Sequence, residues 1–185
     1  MKKVLSLILA TLLVLTSVAA VAEALPSKTT DDLASVKEVV AENGTGVSIV
    51  IVEANDAVLK ILTEAVEAIL NGTDAVAVFN ENTQKAIAEK VGDKALALNE
   101  MHPIEVIGYT DAHGAVTATF ELPTKYTAEQ TLVAVACVFA GGVDEEFVME
   151  AVANEDGTVK VSFPADVLKK IVAGEDTVLS ILNTK

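Results

Sequence analysis

Thr131-Leu132-Val133-Ala134-Val135-Ala136-Cys137-Val138-Phe139 is the stretch whose reading decides the fold. Successive residues of a strand point to opposite faces, and here both sets are apolar: Leu132, Ala134, Ala136 and Val138 against Val133, Val135, Cys137 and Phe139. A strand apolar on both sides belongs in the middle of a covered sheet. The segments around it alternate instead. Over residues 115–123, Val116, Ala118, Phe120 and Leu122 share one side and Thr117, Thr119 and Glu121 the other, which predicts a strand with one wet face. Residues 147–153 and 158–163 flank Asn154-Glu155-Asp156-Gly157, whose Asp-Gly step supplies the positive φ of a tight reversal. The pair therefore reads as a hairpin with Val159, Val161 and Phe163 inward.

Further strands are expected over residues 104–109 and 177–182, giving six at a spacing near ten. Six of the seven aromatic residues lie beyond residue 100, where rings would fill the space between two packed sheets. Between the last two strands, Pro164 in a first turn, Val167, Leu168 and Ile171 on one face, and Gly174 as a stop predict a short helix that plugs one end of the sandwich.

The first half reads differently. Thr29 or Thr30 is expected to cap a helix through Asp31, Asp32, Leu33, Val36, Val39 and Val40, ended by Asn43-Gly44. Residues 47–53 are β-branched almost throughout and predict a strand. Asn55 caps the strongest helix pattern, residues 56–70, with Val58, Leu62, Ala65, Val66 and Ile69 in one stripe and Asn71-Gly72 as its stop. Ala75-Val76-Ala77-Val78-Phe79 reads either as a second, parallel strand or as a helical turn leading into a helix over 82–91. Residues 94–103 read as a junction. The class is thus α+β: a helical or α/β cap over residues 25–99, then a β-sandwich domain over 100–185.

Gly114-Ala115-Val116-Thr117-Ala118-Thr119-Phe120, Thr124-Lys125-Tyr126, Leu132-Val133-Ala134-Val135, Asp156-Gly157-Thr158-Val159-Lys160-Val161 and residues 163–171 together resemble a module of small exported proteins of Gram-positive anaerobes, as does the upstream run 79–88. The resemblance covers about half of the chain and lies in strands and turns rather than in catalytic residues. It implies an immunoglobulin-like sandwich on an exported chain and no activity, and it favours the helical turn at residues 75–79.

Lys2 and Lys3 precede an apolar run from Val4 to Val14, and small residues follow at Ala19, Ala20, Ala22 and Ala24. This is the pattern of an export signal over residues 1–24, cut after Ala22 or Ala24, and the run is shorter than the ~20 residues a bilayer span needs. A cut after Ala22 leaves 163 residues, with 11 lysines against 27 acids and a net charge of −16. All 13 basic residues of the chain are lysine. So much acid argues against nucleic acid and anionic membrane surfaces as partners, and without a guanidinium fork there is no bidentate phosphate clamp. One cysteine, Cys137, excludes an internal disulfide, and its apolar setting makes it a core thiol.

Signals for chemistry are sparse. His102 and His113 bracket the strand at 104–109, which separates them, while a catalytic zinc site takes three protein ligands and a general base takes an orienting partner. Asp144-Glu145-Glu146 with Glu150, and Glu155-Asp156, are acidic turns without a calcium-loop spacing. Asn43-Gly44-Thr45 and Asn71-Gly72-Thr73 match the glycosylation acceptor pattern but read as helix stops. The expectation is an exported, non-enzymatic binding protein, envelope-associated or extracellular, for a protein or glycan, with no catalytic residue, metal or cofactor. The alternatives are a secreted hydrolase with paired carboxylates among Glu53, Glu81, Glu100 and Asp111, or a carrier of a small apolar ligand.

Overall fold

The computed structural model describes residues 34–140 and 143–184. The leader expected over residues 1–24, with its cut after Ala22 or Ala24, lies outside them. The described residues form eight strands and three α-helices: β1 (Ser35–Ala41), β2 (Ser48–Ile51), α1 (Asp56–Leu70), α2 (Glu81–Val91), β3 (Leu96–Ile107), β4 (Val116–Glu121), β5 (Leu132–Ala140), β6 (Val143–Ala153), β7 (Val159–Phe163), α3 (Ala165–Ala173) and β8 (Asp176–Thr184). The strands make one antiparallel sheet in the order β1-β4-β7-β6-β5-β8-β3-β2.

The sheet curls so that β1 and β2, its two edges, come near each other. Its concave side holds the larger core, with Phe120, Phe163, Ile181, Leu179 and the inner residues of β5. A second core lies on the outside of β3, β8 and β5, where α1 presents Val58, Leu62 and Val66 and α2 presents Ile87 and Val91 to Val133, Val135, Val178 and Leu182. This explains the decisive stretch. Leu132, Ala134, Ala136 and Val138 face the inner core, while Val133, Val135, Cys137 and Phe139 face the helices. The wet-faced strand also forms, with Val116, Ala118 and Phe120 buried and Thr117, Thr119 and Glu121 half-buried.

Local signals act where expected in most elements. Asn55 Oδ1 accepts the Val58 N–H at 2.9 Å to start α1, and the Asn71 N–H bonds back to the Glu67 carbonyl at its end. In the β6–β7 hairpin Gly157 sits at φ +81°, and the Asn154 N–H donates to the Thr158 carbonyl at 2.8 Å. The helix α3 seats Val167, Leu168 and Ile171 in the inner core at one end of the sheet, where the Tyr109 hydroxyl donates to the Ala165 carbonyl.

Three expectations are corrected. The helix over residues 31–40 is, in its described part, strand β1, paired with β4. Its register shifts between Val36 and Glu38, so Val36 and Val39 reach the same core three residues apart. A bulge thus copies the helical spacing. Asn43-Gly44, with Gly44 at φ +76°, ends this strand rather than a helix. Of the two readings left open for residues 75–79, the structure takes the helical turn that the resemblance favours, a 3₁₀ turn at Ala75–Val78 started by the Asp74 carboxylate on the Val76 N–H. Finally, the supposed junction at 94–103 is the first part of β3, which runs unbroken through residues 99 and 100 between β8 and β2. Pro103 is tolerated in it because its carbonyl accepts the Val52 N–H, so the missing donor falls where the β2 ladder ends.

Candidate functional site

Two places gather polar side chains. The first lies inside the curled sheet, at the end opposite α3. The connection between β4 and β5, residues 122–131, crosses that end above β7 and β6. A second register shift, between Leu98 and Glu100, changes the alternation of β3. Leu98 and Met101 face the helices, whereas Asn99, Glu100 and His102 meet the inner side. Glu100 and His102 are 2% and 3% exposed, and His102 Nε2 lies 2.8 Å from Glu100 Oε2. The other carboxylate oxygen accepts the Thr124 N–H at 2.9 Å, fastening the crossing loop to β3. Asn99 Nδ2 donates to Asn183 Oδ1 of β8.

Burial raises the Glu100 pKa, but the His102 and Thr124 hydrogen bonds outweigh it and hold the carboxyl below its ordinary value. Tyr126, on the loop, is 2% exposed; burial and the nearby Glu100 carboxylate raise its hydroxyl far above the usual range. This constellation has an acid and a histidine in contact, yet both nitrogen donors it meets are already spent on the carboxylate. As built, it fixes a loop.

The second place is an open cleft of about 240 Å³ between the β2–α1 connection, β3 and the end of α3. Glu53, Glu105, Glu175 and Asp176 stand in its wall. Asn55 Nδ2 donates to both Asp176 oxygens at 2.8 and 2.9 Å, while Glu53, Glu105 and Glu175 have no lysine partner among the described residues. A larger, shallower cleft lies along β5 and β6 by Lys90.

The carboxylates weighed as hydrolytic pairs come apart. Glu53 is in the cleft, Glu100 inside the sheet, Glu81 in the exposed first turn of α2, and Asp111 in a surface turn with Lys169 Nζ at 3.1 Å. The histidines are separate too. His102 is an inward residue of β3, whereas half-buried His113 caps a 3₁₀ turn, accepting the Thr110 N–H at Nδ1 and meeting the Thr45 carbonyl through Nε2. Of the acidic clusters, Asp144-Glu145-Glu146 and Glu150 lie in strand β6, paired with β5, rather than at a turn; Glu145 pairs with Lys170 and Glu146 accepts the Asn80 N–H, while Asp156 accepts from Thr158 within its hairpin. The Thr158 bonds hold the Asp156 carboxyl below its usual value. Burial, then Glu146 and Asp144, push the Cys137 thiol far upward, which keeps it protonated. Among the described residues no three His, Cys, Asp or Glu side chains are placed to hold a metal ion, and no helix is long and apolar enough to cross a membrane.

Asn99, Thr124, Tyr126 and Asn183 of the interior cluster, and Glu105, Glu175 and Asp176 of the cleft, escaped the sequence reading. The signal for the first group was present in Leu96-Ala97-Leu98-Asn99-Glu100-Met101-His102, an apolar alternation that slips by one residue at a polar pair. The chain matches no protein-family model, no curated protein and no solved structure.

Proposed function

We propose that this chain is an exported, non-enzymatic binding protein that works outside the cell or in its envelope, on an immunoglobulin-like variant of the antiparallel sheet. Its partner is a protein or glycan rather than nucleic acid, and the cleft takes a cationic part of that partner. The observation that carries this reading is the single sign of charge in the cleft wall: three exposed glutamates without a cationic partner among the described residues, beside Asp176. A lysine-bearing or arginine-bearing segment seated there would gain carboxylate hydrogen bonds in a partly enclosed recess. The export pattern of residues 1–24 and the acidic balance of the whole chain, −14, agree with an extracellular role. The sealed Glu100–His102 pair fits the same reading, since an acid and a histidine serving catalysis must reach a substrate.

The test is capture of partners from cell-wall and extracellular extracts by the immobilised chain, beside a Glu53→Gln, Glu105→Gln, Glu175→Gln variant. The reading expects specific partners that elute with salt and are lost by the variant. Equal capture by the two chains overturns the cleft as the binding face, and turnover of a glycoside or peptide substrate abolished by Glu53→Gln would establish the hydrolase instead.

A further inference from the structure

Three steps of the chain place a glycine after an asparagine or an aspartate: Asn43-Gly44, Asn71-Gly72 and Asp156-Gly157. Such steps are chemically labile, because a glycine, having no β-carbon, lets its nitrogen approach the side-chain carbonyl before it. The fold treats the three differently.

The Gly72 N–H donates to the Ile69 carbonyl and the Thr73 N–H to the Ala68 carbonyl, both at 3.0 Å, so the nitrogen that would attack is tied into the end of α1. Asn71 also has ψ at 7°, which turns the Gly72 nitrogen away from its side chain. In the β6–β7 hairpin Gly157 is buried and its N–H donates to the Asn154 carbonyl at 3.0 Å, while Asp156 Oδ1 is held by the Thr158 N–H and hydroxyl at 3.0 and 2.6 Å. The connection between β1 and β2 is the contrast. Asn43 and Gly44 are exposed, and among the described residues neither the Gly44 N–H nor the Asn43 side-chain amide has a hydrogen-bond partner.

We propose that Asn43 is a modification site, the member of this set that converts spontaneously in the folded chain. The Gly44 nitrogen attacks Asn43 Cγ, the new N–C bond closes a succinimide ring, and the side-chain nitrogen leaves as ammonia with the proton that the Gly44 nitrogen gives up. Water then opens the ring at one carbonyl or the other and leaves aspartate or isoaspartate. Either product puts a carboxylate where a neutral amide stood. The new charge falls beside an existing one: Glu42 Oε2 and Asn43 Nδ2 both lie against Gly114, and Glu42 Oε2 accepts the Ala115 N–H at 3.3 Å just beyond the β1–β4 ladder. Two carboxylates over one glycine repel and loosen the junction of the two sheet edges. Asn43 is in the wall of neither cleft, so this inference is independent of the binding role.

The experiment is peptide mapping by mass spectrometry of the whole chain, aged folded and in urea at neutral and mildly alkaline pH, with a separation that resolves aspartate from isoaspartate. In the folded chain Asn43 is expected to convert roughly tenfold faster than Asn71, the protection that one backbone hydrogen bond gives. In urea the two should convert at similar rates, and the rate at Asn43 should rise with pH. Equal rates in the folded chain overturn the proposal, as does an Asn43 that is stable when folded and labile only in urea. Asn43→Asp, which carries the charge of the product, should speed amide exchange at residues 42, 43 and 115 roughly threefold. Unchanged exchange in that variant overturns the loosening of the junction.

Discussion

The curled sheet is closed by opposite means at its two ends. At one, α3 lowers Val167, Leu168 and Ile171 into the inner core. At the other, residues 122–131 cross the opening without regular structure, held by Glu100, Thr124 and their buried polar neighbours. An apolar plug is non-directional and nearly indifferent to pH. A polar clasp depends on every partner being present, and it titrates. The contrast teaches that one chain can use hydrophobic burial and a hydrogen-bonded network for the same task, with different failure modes.

The sharpest way to break the clasp is Glu100→Ala, which leaves the Thr124 N–H and His102 buried without their acceptor; a loss of about 4 kcal/mol in urea unfolding is expected. Leu168→Ala, at a position with 0% exposure, should cost about 3 kcal/mol by the same measurement. Amide exchange tells the two apart. The first variant should speed exchange over residues 122–131 and the second around α3, and identical patterns would mean that the ends are not separately closed.

Acidity separates them again. Because the folded Glu100 pKa lies below its ordinary 4.5, its contribution is fully present above that pH and is lost as the pH falls through the depressed folded value. Urea midpoints measured between about pH 6 and pH 3 should therefore fall more steeply in the parent than in Glu100→Gln, while Leu168→Ala keeps the parental slope. Gly157→Ala acts beside the clasp: at φ +81° its new Cβ also meets Lys125 Cδ at 3.2 Å, and a loss of about 1–2 kcal/mol is expected. Asn55→Ala, outside both ends, removes the α1 cap together with the exposed hydrogen bonds to Asp176 and should cost about 1 kcal/mol, with exchange rising in the first turn of that helix.

How much the sequence revealed follows the same division. The elements written in period two or in end-capping residues were legible: β4, β5, β7, α1 and α3. The two-faced reading of residues 131–139 found the middle of the sheet before the helices covering it were known. What escaped lies at register shifts. In β1 the shift made Val36 and Val39 look like one helical face, and in β3 it made Asn99-Glu100 look like a linker. Each shift inserts one residue into the alternation, and a pattern argument has no term for that residue until the partner strand is known. The clasp was illegible for a second reason, because Glu100, Thr124 and Asn183 are far apart in the chain and ordinary in type. Glu100 was weighed, but for hydrolysis in an open pocket.

β8 lies between β5 and β3, and β1 finds β4 some eighty residues later in the chain. During synthesis, β3 must therefore wait, one backbone edge bare, until residues 176–184 emerge. Assembly is slow by design of the topology, since ladders spanning such sequence separations set folding times of milliseconds to seconds. The last strand to appear is the keystone, and a nascent or clipped chain lacking it would offer two long unpaired edges to its neighbours.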